Sequence, residues 1–412
     1  MGKYYKWFLI ALLSCAFFFH QADRALFGLL TIPIQKDIGL TDVQIGWINT
    51  TLSWTLAAMT VVAGFVGDRF SRKWIITLSL IAWSLMTVCM GFVGGFAGAL
   101  FFRSIATGVG ESFYAPSAYA LIAVHHKETR SVALSIHQAA LYIGLMFSGL
   151  VVALALAFLG TWRNVFFVFG AAGCALGVAF VWALKDSGPI CPESSRLSTQ
   201  GSRLSEGLKA YFCNPSALCA TAGFVAIVFV NNAYLFWAPK FAAEKFSLDV
   251  GAAGKGVMLW HHLSAFAAIL AGGVLTDRFV GKMPRFRLGF QALALLCGAP
   301  MLVWIGLAPS FAGLLAAASA YGVFRGFFEV NTHASLFDVV PPQFRSTAVG
   351  LLNMIAFFFG GLSGVAMGAL SQKWGVRGFE IGFGMMAAFY LLGAALMAFS
   401  FFFTFRKNRI TE

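Results

Sequence analysis

Apolar residues gather along the chain in twelve long runs separated by polar stretches: 7–30, 44–66, 74–94, 97–122, 131–158, 163–184, 216–238, 251–275, 286–306, 309–335, 346–370 and 376–403. Each has the length, about 20 residues, that an α-helix needs to cross the hydrocarbon core of a bilayer. Backbone N–H and C=O groups find no water there, so each run is expected to satisfy them internally as a helix. The expected fold is an all-α membrane protein with twelve transmembrane helices, and an even number of crossings places both termini on one side. The first run follows Lys3 and Lys6 and is similar in outline to a signal peptide. It continues past His20, Gln21, Ala22, Asp23 and Arg24 to Leu30, and is therefore read as the first span.

Only one polar stretch is long, 185–215, with Pro189, Pro192 and a Ser/Arg-rich run from Ser194 to Ser205. It divides the chain into an N-terminal six-helix bundle over 1–184, a linker loop over 185–215 and a C-terminal six-helix bundle over 216–412. Within the linker, 203–212 is expected to form a short amphipathic helix on the membrane surface. The halves repeat one another. Asp68-Arg69-Phe70-Ser71-Arg72-Lys73 follows the second run and Asp277-Arg278-Phe279-Val280-Gly281-Lys282 the eighth. Runs four and ten each carry an Arg followed by a Glu, Arg103 with Glu111 and Arg325 with Glu329. Repeats in corresponding places point to two pseudo-symmetric bundles with a site near the bilayer midplane.

Composition agrees. Of 412 residues 59% are hydrophobic and 11% charged, with a mean hydropathy of +0.80. A soluble domain carries about 25% charged residues, so a cytosolic enzyme, a secreted domain and a disordered regulator are excluded. The net charge of +13 raises nucleic-acid binding, but the placement of the basic residues explains it differently. With the termini inside, nineteen of the 29 Lys and Arg residues fall on that side and seven on the other, while Arg24, Arg103 and Arg325 lie within spans. The bias orients both termini toward the cytoplasm, as in a bacterial inner-membrane protein, and requires no nucleic-acid partner. The seven cysteines show no paired spacing, so neither a disulfide framework nor a zinc site is indicated.

Charges inside apolar runs cost several kcal/mol or more, and usually face a cavity or a partner. In the first run His20, Asp23 and Arg24 stand at i, i+3 and i+4 and can share one helical side. Asp23 and Arg24 are either a pair locking helices or a functional constellation; adjacent residues project about 100° apart, which favours function. Glu111 lies mid-run with no basic residue three or four positions away, a carboxyl that can be neutral in one state and charged and paired in another. In the tenth run Arg325, Glu329 and His333 form a stripe, either a self-satisfied helix pair or substrate contacts. His137, Gln138, Tyr142, Asn231, Asn232, Tyr234 and Asn353 offer hydrogen bonds. Singly each reads as glue between helices; together they favour a polar cavity. His261-His262 and His125-His126 diverge on a helix with no third ligand at metal spacing. Gly108-x-Gly110 follows no strand and is not a nucleotide loop. No cofactor or metal is indicated, and no His-Glu-x-x-His or comparable motif of an intramembrane enzyme occurs.

The loop Gly-x-x-x-Asp-Arg-x-x-Arg-Lys after the second run, its weaker copy after the eighth and the six-plus-six arrangement resemble the major facilitator superfamily. Ala22-Asp23-Arg24 and Gly108-Val109-Gly110-Glu111 resemble the Asn-Tyr-x-Asp-Arg and Gly-x-Gly-Glu signatures of its anion:cation symporters and spinster-like lipid transporters. Here His20-Gln21 replaces Asn-Tyr, and Arg103 stands eight residues before Glu111 where the family spacing is seven. The resemblance implies the major facilitator fold, a monomer, and proton-coupled uptake of a small organic anion such as a sugar acid by alternating access. Its implied roles are protons at Asp23 and Glu111 and substrate at Arg24. His20, Gln138, Tyr142, Asn231, Asn232, Arg325, Glu329 and Asn353 join Arg24 as candidate substrate contacts. Asp68 and Arg69 are expected to form a gate with the start of run eleven near Ser346, with Arg103, Asp277 and Arg278 as further gating candidates. The rival expectation is a spinster-like exporter or flippase of a lysolipid or another amphiphile.

Overall fold

The computed structural model of the chain describes residues 3–126, 129–185 and 200–410, and every regular element among them is helical. The order is α1 (Lys3–Leu29), α2 (Thr31–Ile38), α3 (Asp42–Arg69), α4 (Arg72–Met90), α5 (Phe96–Ala99), a π-helical turn (Leu100–Ala106), α6 (Thr107–Ser112), α7 (Tyr114–His125), α8 (Arg130–Leu159) and α9 (Trp162–Ala183). There follow α10 (Gln200–Phe212), α11 (Pro215–Phe246), α12 (Val250–Val280), α13 (Phe286–Leu307), α14 (Phe311–Glu329), α15 (Thr332–Phe337), a 3-10 turn (Pro342–Phe344), α16 (Arg345–Trp374), α17 (Val376–Phe399), a second π turn (Ser400–Thr404) and α18 (Phe405–Asn408).

Ten helical stretches among the described residues are long and apolar enough to cross a membrane. The second and fourth predicted positions are occupied by α3 and by the stretch from α5 to α7. Asn49, Thr50, Thr51, Ser53 and Thr55 give α3 a polar side, and the π turn and a break at Phe113 divide span four. Other breaks follow from the sequence. Pro33 lacks an N–H and crowds the carbonyl four residues back, so α1 stops at Leu29 and α2 restarts at Thr31. The Thr41 side chain accepts from the Gln44 N–H while the Gln44 side chain accepts from Thr41 N–H, a capping box that starts α3. In the linker the amphipathic helix is present as α10, longer than expected at its start, while 186–199 lies outside the described residues.

The chain forms two compact units. One comprises Met1–Glu193, Leu235–Ala243 and Ser247–Leu259; the other comprises Ser194–Tyr234, Glu244–Phe246 and Trp260–Glu412. In the first, α1 packs along α8 and α4 along α9; in the second, α13 packs against α14 and α17. Without a hydrophobic drive between helices in lipid, close approach depends on small residues. A Cβ on Gly149 of α8 falls 2.5 Å from the Gly254 carbonyl oxygen of α12, so only glycine fits that crossing. A Cβ on Gly360 of α16 falls 2.6 Å from a Val228 methyl of α11. The first unit's core includes Leu13, Phe17, Trp83, Tyr114, Leu121 and Phe180, and a cluster of charged residues is set into it.

Candidate functional site

Spacing on α1 and the approach of α6 bring three of the predicted residues together. Glu111 Oε2 lies 3.6 Å from Arg24 Nε and 3.6 Å from His20 Nε2. Neither Glu111 oxygen, nor His20 Nε2, has a hydrogen-bond partner, so the carboxylate is held by charge rather than by a tight bidentate pair. The Gln21 amide lies 2.9 Å from His20 Nδ1 and donates to it. A neutral His20 therefore carries its proton on Nε2, the nitrogen facing Glu111. Trp83 and Tyr114 wall the imidazole, at 5.1 and 5.9 Å between ring centroids. The Glu111 side chain is 0% exposed and that of Arg24 27%, so Arg24 is the member of the triad within reach of a ligand.

Asp23 turns away from this triad. The Thr87 hydroxyl lies 3.1 Å from each Asp23 oxygen. Around Asp23, Trp83, Thr87, Phe169 and Gly170 enclose a cavity of about 10 Å³ between α1, α4 and α9, close to the space of one water. Arg103 serves the backbone beneath both groups. Its Nη2 donates to the Arg24 carbonyl at 2.9 Å and lies 3.5 Å from that of Asp23. Arg103 sits in the π turn Leu100–Ala106. A π turn holds one more residue than an α turn and is common at functional sites. The turn thus absorbs the eighth residue between Arg103 and Glu111, and the guanidinium reaches α1 rather than the carboxylate.

The second unit has its own buried cluster. Arg325 Nη2 lies 3.1 Å from Glu329 Oε2, and Arg325 Nη1 donates to His261 Nε2 at 3.1 Å. His261 Nδ1–H in turn donates to the Ala318 carbonyl at 3.2 Å, which fixes a neutral ring with its free nitrogen toward Arg325. Tyr234 and Tyr321 flank that ring at 4.4 and 4.9 Å, and Tyr390 donates to the Tyr321 hydroxyl. His333 of the same stripe is exposed.

The remaining predicted residues are dispersed. Gln138 is exposed and accepts from the Tyr119 hydroxyl at 3.2 Å. Tyr142 is buried, while Asn231, Asn232 and Asn353 are half-buried. Asp277 and Arg278 lie exposed at the end of α12. The side chains of Asp68, Arg69 and Ser346, and with them the expected gate, lie outside the described residues. Sequence reasoning missed Thr87 and weighed His261 only as a metal ligand, a role it set aside. A hydroxyl one turn after Trp83 and an imidazole inside a span were the available signals for them. Among the described residues no group of three His, Cys, Asp or Glu side chains could hold a metal ion.

A family model described as the Major Facilitator Superfamily matches residues 12–308. The chain belongs to the Major Facilitator Superfamily. It is 26% identical over 391 residues to the protein spinster of Drosophila melanogaster, a match covering 89% of this chain and 62% of that longer protein. It is 25% identical over 413 residues to the probable sulfoacetate transporter SauU of Cupriavidus necator, covering 93% of each. The crystal structure of a bacterial homolog to the human lysosomal transporter Spinster, inward-facing and unoccupied, superposes with a TM-score of 0.86. That pair shares 19% identity over the whole of both chains. This facilitator is an integral membrane protein whose relatives are transporters, not enzymes.

Proposed function

We propose that this facilitator carries a small organic anion, such as a sugar acid, inward across a bacterial inner membrane together with protons, its termini in the cytoplasm. Alternating access opens the site to one side of the membrane at a time. The observation that carries the reading is the part-exposed Arg24 guanidinium set against a fully buried Glu111. An anion that takes Arg24 removes the counter-charge of Glu111. A bare carboxylate in oil is costly, so Glu111 takes a proton as the substrate binds and returns it as the substrate leaves. His20 Nε2–H, 3.6 Å away, faces the carboxylate in its charged state. SauU, matched over 93% of both chains, is named for a small organic anion, which supports the same class of cargo. Asp23, against its one-water cavity, is the second candidate proton carrier.

The test is uptake into proteoliposomes with a set of hydroxylated and sulfonated carboxylic acids, with and without an imposed pH gradient. The gradient is expected to accelerate wild-type uptake. Glu111→Gln retains exchange of labelled substrate and loses the response to the gradient, and Arg24→Ala loses both. Wild-type transport indifferent to the gradient, or Glu111→Gln still driven by it, refutes proton coupling through Glu111. The spinster likeness over 89% of the chain supports a second reading, export or flipping of a lysolipid or similar amphiphile. Thermal stabilisation of the purified protein by lysolipids, and by none of the acids, decides for it.

A further inference from the structure

The second unit carries a cavity of its own. A cavity of about 530 Å³ opens between the end of α10, the chain just before α16 and the tail that follows α18. Lys209, Lys407 and Arg409 line it, with Glu206 as the single acid. All four side chains are exposed, and none of the three cations makes an ion pair among the described residues. The nearby Asp338 is already engaged, both of its oxygens accepting from Arg287 at 2.8 and 2.9 Å. The lining therefore carries a net charge of +2 gathered around one opening.

Hydrogen bonds build the walls. Asn214 donates through Nδ2 to the Val339 carbonyl at 2.8 Å, and its Oδ1 accepts from the N–H groups of Ser216 and Ala217 at the start of α11. The tail is fixed by the Ile410 N–H, which donates to the Asp338 carbonyl at 2.9 Å, and by the Ser216 hydroxyl, which donates to Asn408 Oδ1. Three cations are thus held together although they repel one another, an arrangement that an anion relieves. The segments that carry the cations also carry exposed aromatic rings. Phe212 ends α10, and Phe402 and Phe403 lie in the π turn just before the tail, each at least half exposed. Segments that carry both exposed Phe rings and basic side chains suit the boundary where headgroups meet acyl chains.

We propose that this cavity binds a phosphate-bearing anion, most simply the headgroup of an anionic phospholipid whose acyl chains lie along the exposed Phe402 and Phe403. Basic pockets at the ends of membrane helices bind such headgroups by charge. An occupant joins the linker helix to the C-terminal tail and so fastens the linker to the second unit.

Cys213 lines the same cavity and is exposed, which supplies a local readout. The full chain, purified in detergent and stripped of lipid, is treated with a maleimide, and the rate of Cys213 modification is followed by peptide mass spectrometry. The probes are dihexanoyl phosphatidylglycerol, dihexanoyl phosphatidylcholine and inorganic phosphate. The anionic lipid is expected to slow modification by about tenfold at a concentration ten times its Kd. The zwitterionic lipid leaves the rate unchanged. In Lys407→Gln/Arg409→Gln, which alters two exposed side chains, affinity falls by about tenfold or more. Protection by inorganic phosphate as well supports the phosphate site and assigns its source to free phosphate; protection by the anionic lipid alone assigns it to the headgroup. The proposal is overturned if no probe protects Cys213, if phosphatidylcholine protects as well as phosphatidylglycerol, or if the double variant is protected as well as its parent.

Discussion

Lys240 is a cation placed within a span, only 5% exposed and directly after Pro239. Its Nζ donates to Gln35 Oε1 at 2.7 Å and to the Asp42 carboxylate. Gln35 Nε2 donates to the same Asp42 oxygen at 2.6 Å and to the Leu40 carbonyl at 3.1 Å. The first unit thereby ties one end of α11 to the turn between α2 and α3. Lys240→Met keeps the length and apolar stem of the side chain and deletes the charge. Removing one partner of a buried pair costs about 3–5 kcal/mol. Because Asp42 keeps the Gln35 amide and its side chain is 13% exposed, the expected loss lies at the lower end, about 3 kcal/mol. Asp42→Asn takes the carboxylate from the cation, which keeps Gln35 Oε1, and also removes a negative charge from the first turn of α3, where the helix dipole favours it by about 0.3–1 kcal/mol.

The double variant Lys240→Met/Asp42→Asn leaves neither charge alone. It is expected to be more stable than the sum of the single losses by about 0.5–3 kcal/mol, the range found for residues in one network. The assay is unfolding of the purified protein in detergent for parent, singles and double, followed by intrinsic Trp fluorescence. Single variants within about 0.5 kcal/mol of the parent, the usual effect of a surface change, or strictly additive losses, would show that the cluster does not fasten α11.

Two further outcomes rest on packing and on donor geometry. Gly149→Val places a branched side chain where even a Cβ is 2.5 Å from the Gly254 carbonyl oxygen. A loss of about 1–3 kcal/mol is expected, as for overpacked cores, and an unchanged thermal midpoint refutes that close approach. Arg163 donates through Nη1 to the Gly91 and Val93 carbonyls, each at 2.9 Å, and pairs with Asp37 at 2.8 Å. A lysine cannot serve two carbonyls and a carboxylate with one fixed fork. Arg163→Lys is therefore expected to cost about 1 kcal/mol of stability, because the pair is part-exposed, and so to lower the thermal midpoint; an equal midpoint argues against that role.

How far the sequence reveals the site depends on whether a residue's partner is local. The helices were legible because lipid leaves the backbone no alternative, and the i, i+4 spacing of His20 and Arg24 placed both on one side of α1. The contact of Glu111 with that side is a matter of how α6 crosses α1, which no spacing within either helix encodes. Asp23 was legible as a costly charge, but its Thr87 partner lies 64 residues away. The eight-residue interval from Arg103 to Glu111 looked like a departure from pattern. A local π turn resolves it, a backbone event that the run of Leu100 to Ala106 does not announce. Lys240 stands just past the apolar run 216–238, and no spacing there announces its burial, because its carboxylate belongs to another helix.

The two buried clusters differ in which charge they leave within reach, and this bears on the cargo. In the first unit the carboxylate is sealed at 0% exposure and the arginine is open at 27%. In the second the order is reversed: the Arg325 side chain is 5% exposed and that of Glu329 30%, with Arg325 additionally held by His261. Repeated sequences have therefore placed an Arg–Glu pair in each unit but turned opposite ends toward open space. The counter-charge left accessible is Arg24 in the first unit, whereas Arg325 is buried and already engaged by Glu329 and His261. On the proposed reading, anion contact thus falls to Arg24 ahead of Arg325, whose half-buried partner Glu329 keeps one oxygen buried without a hydrogen bond.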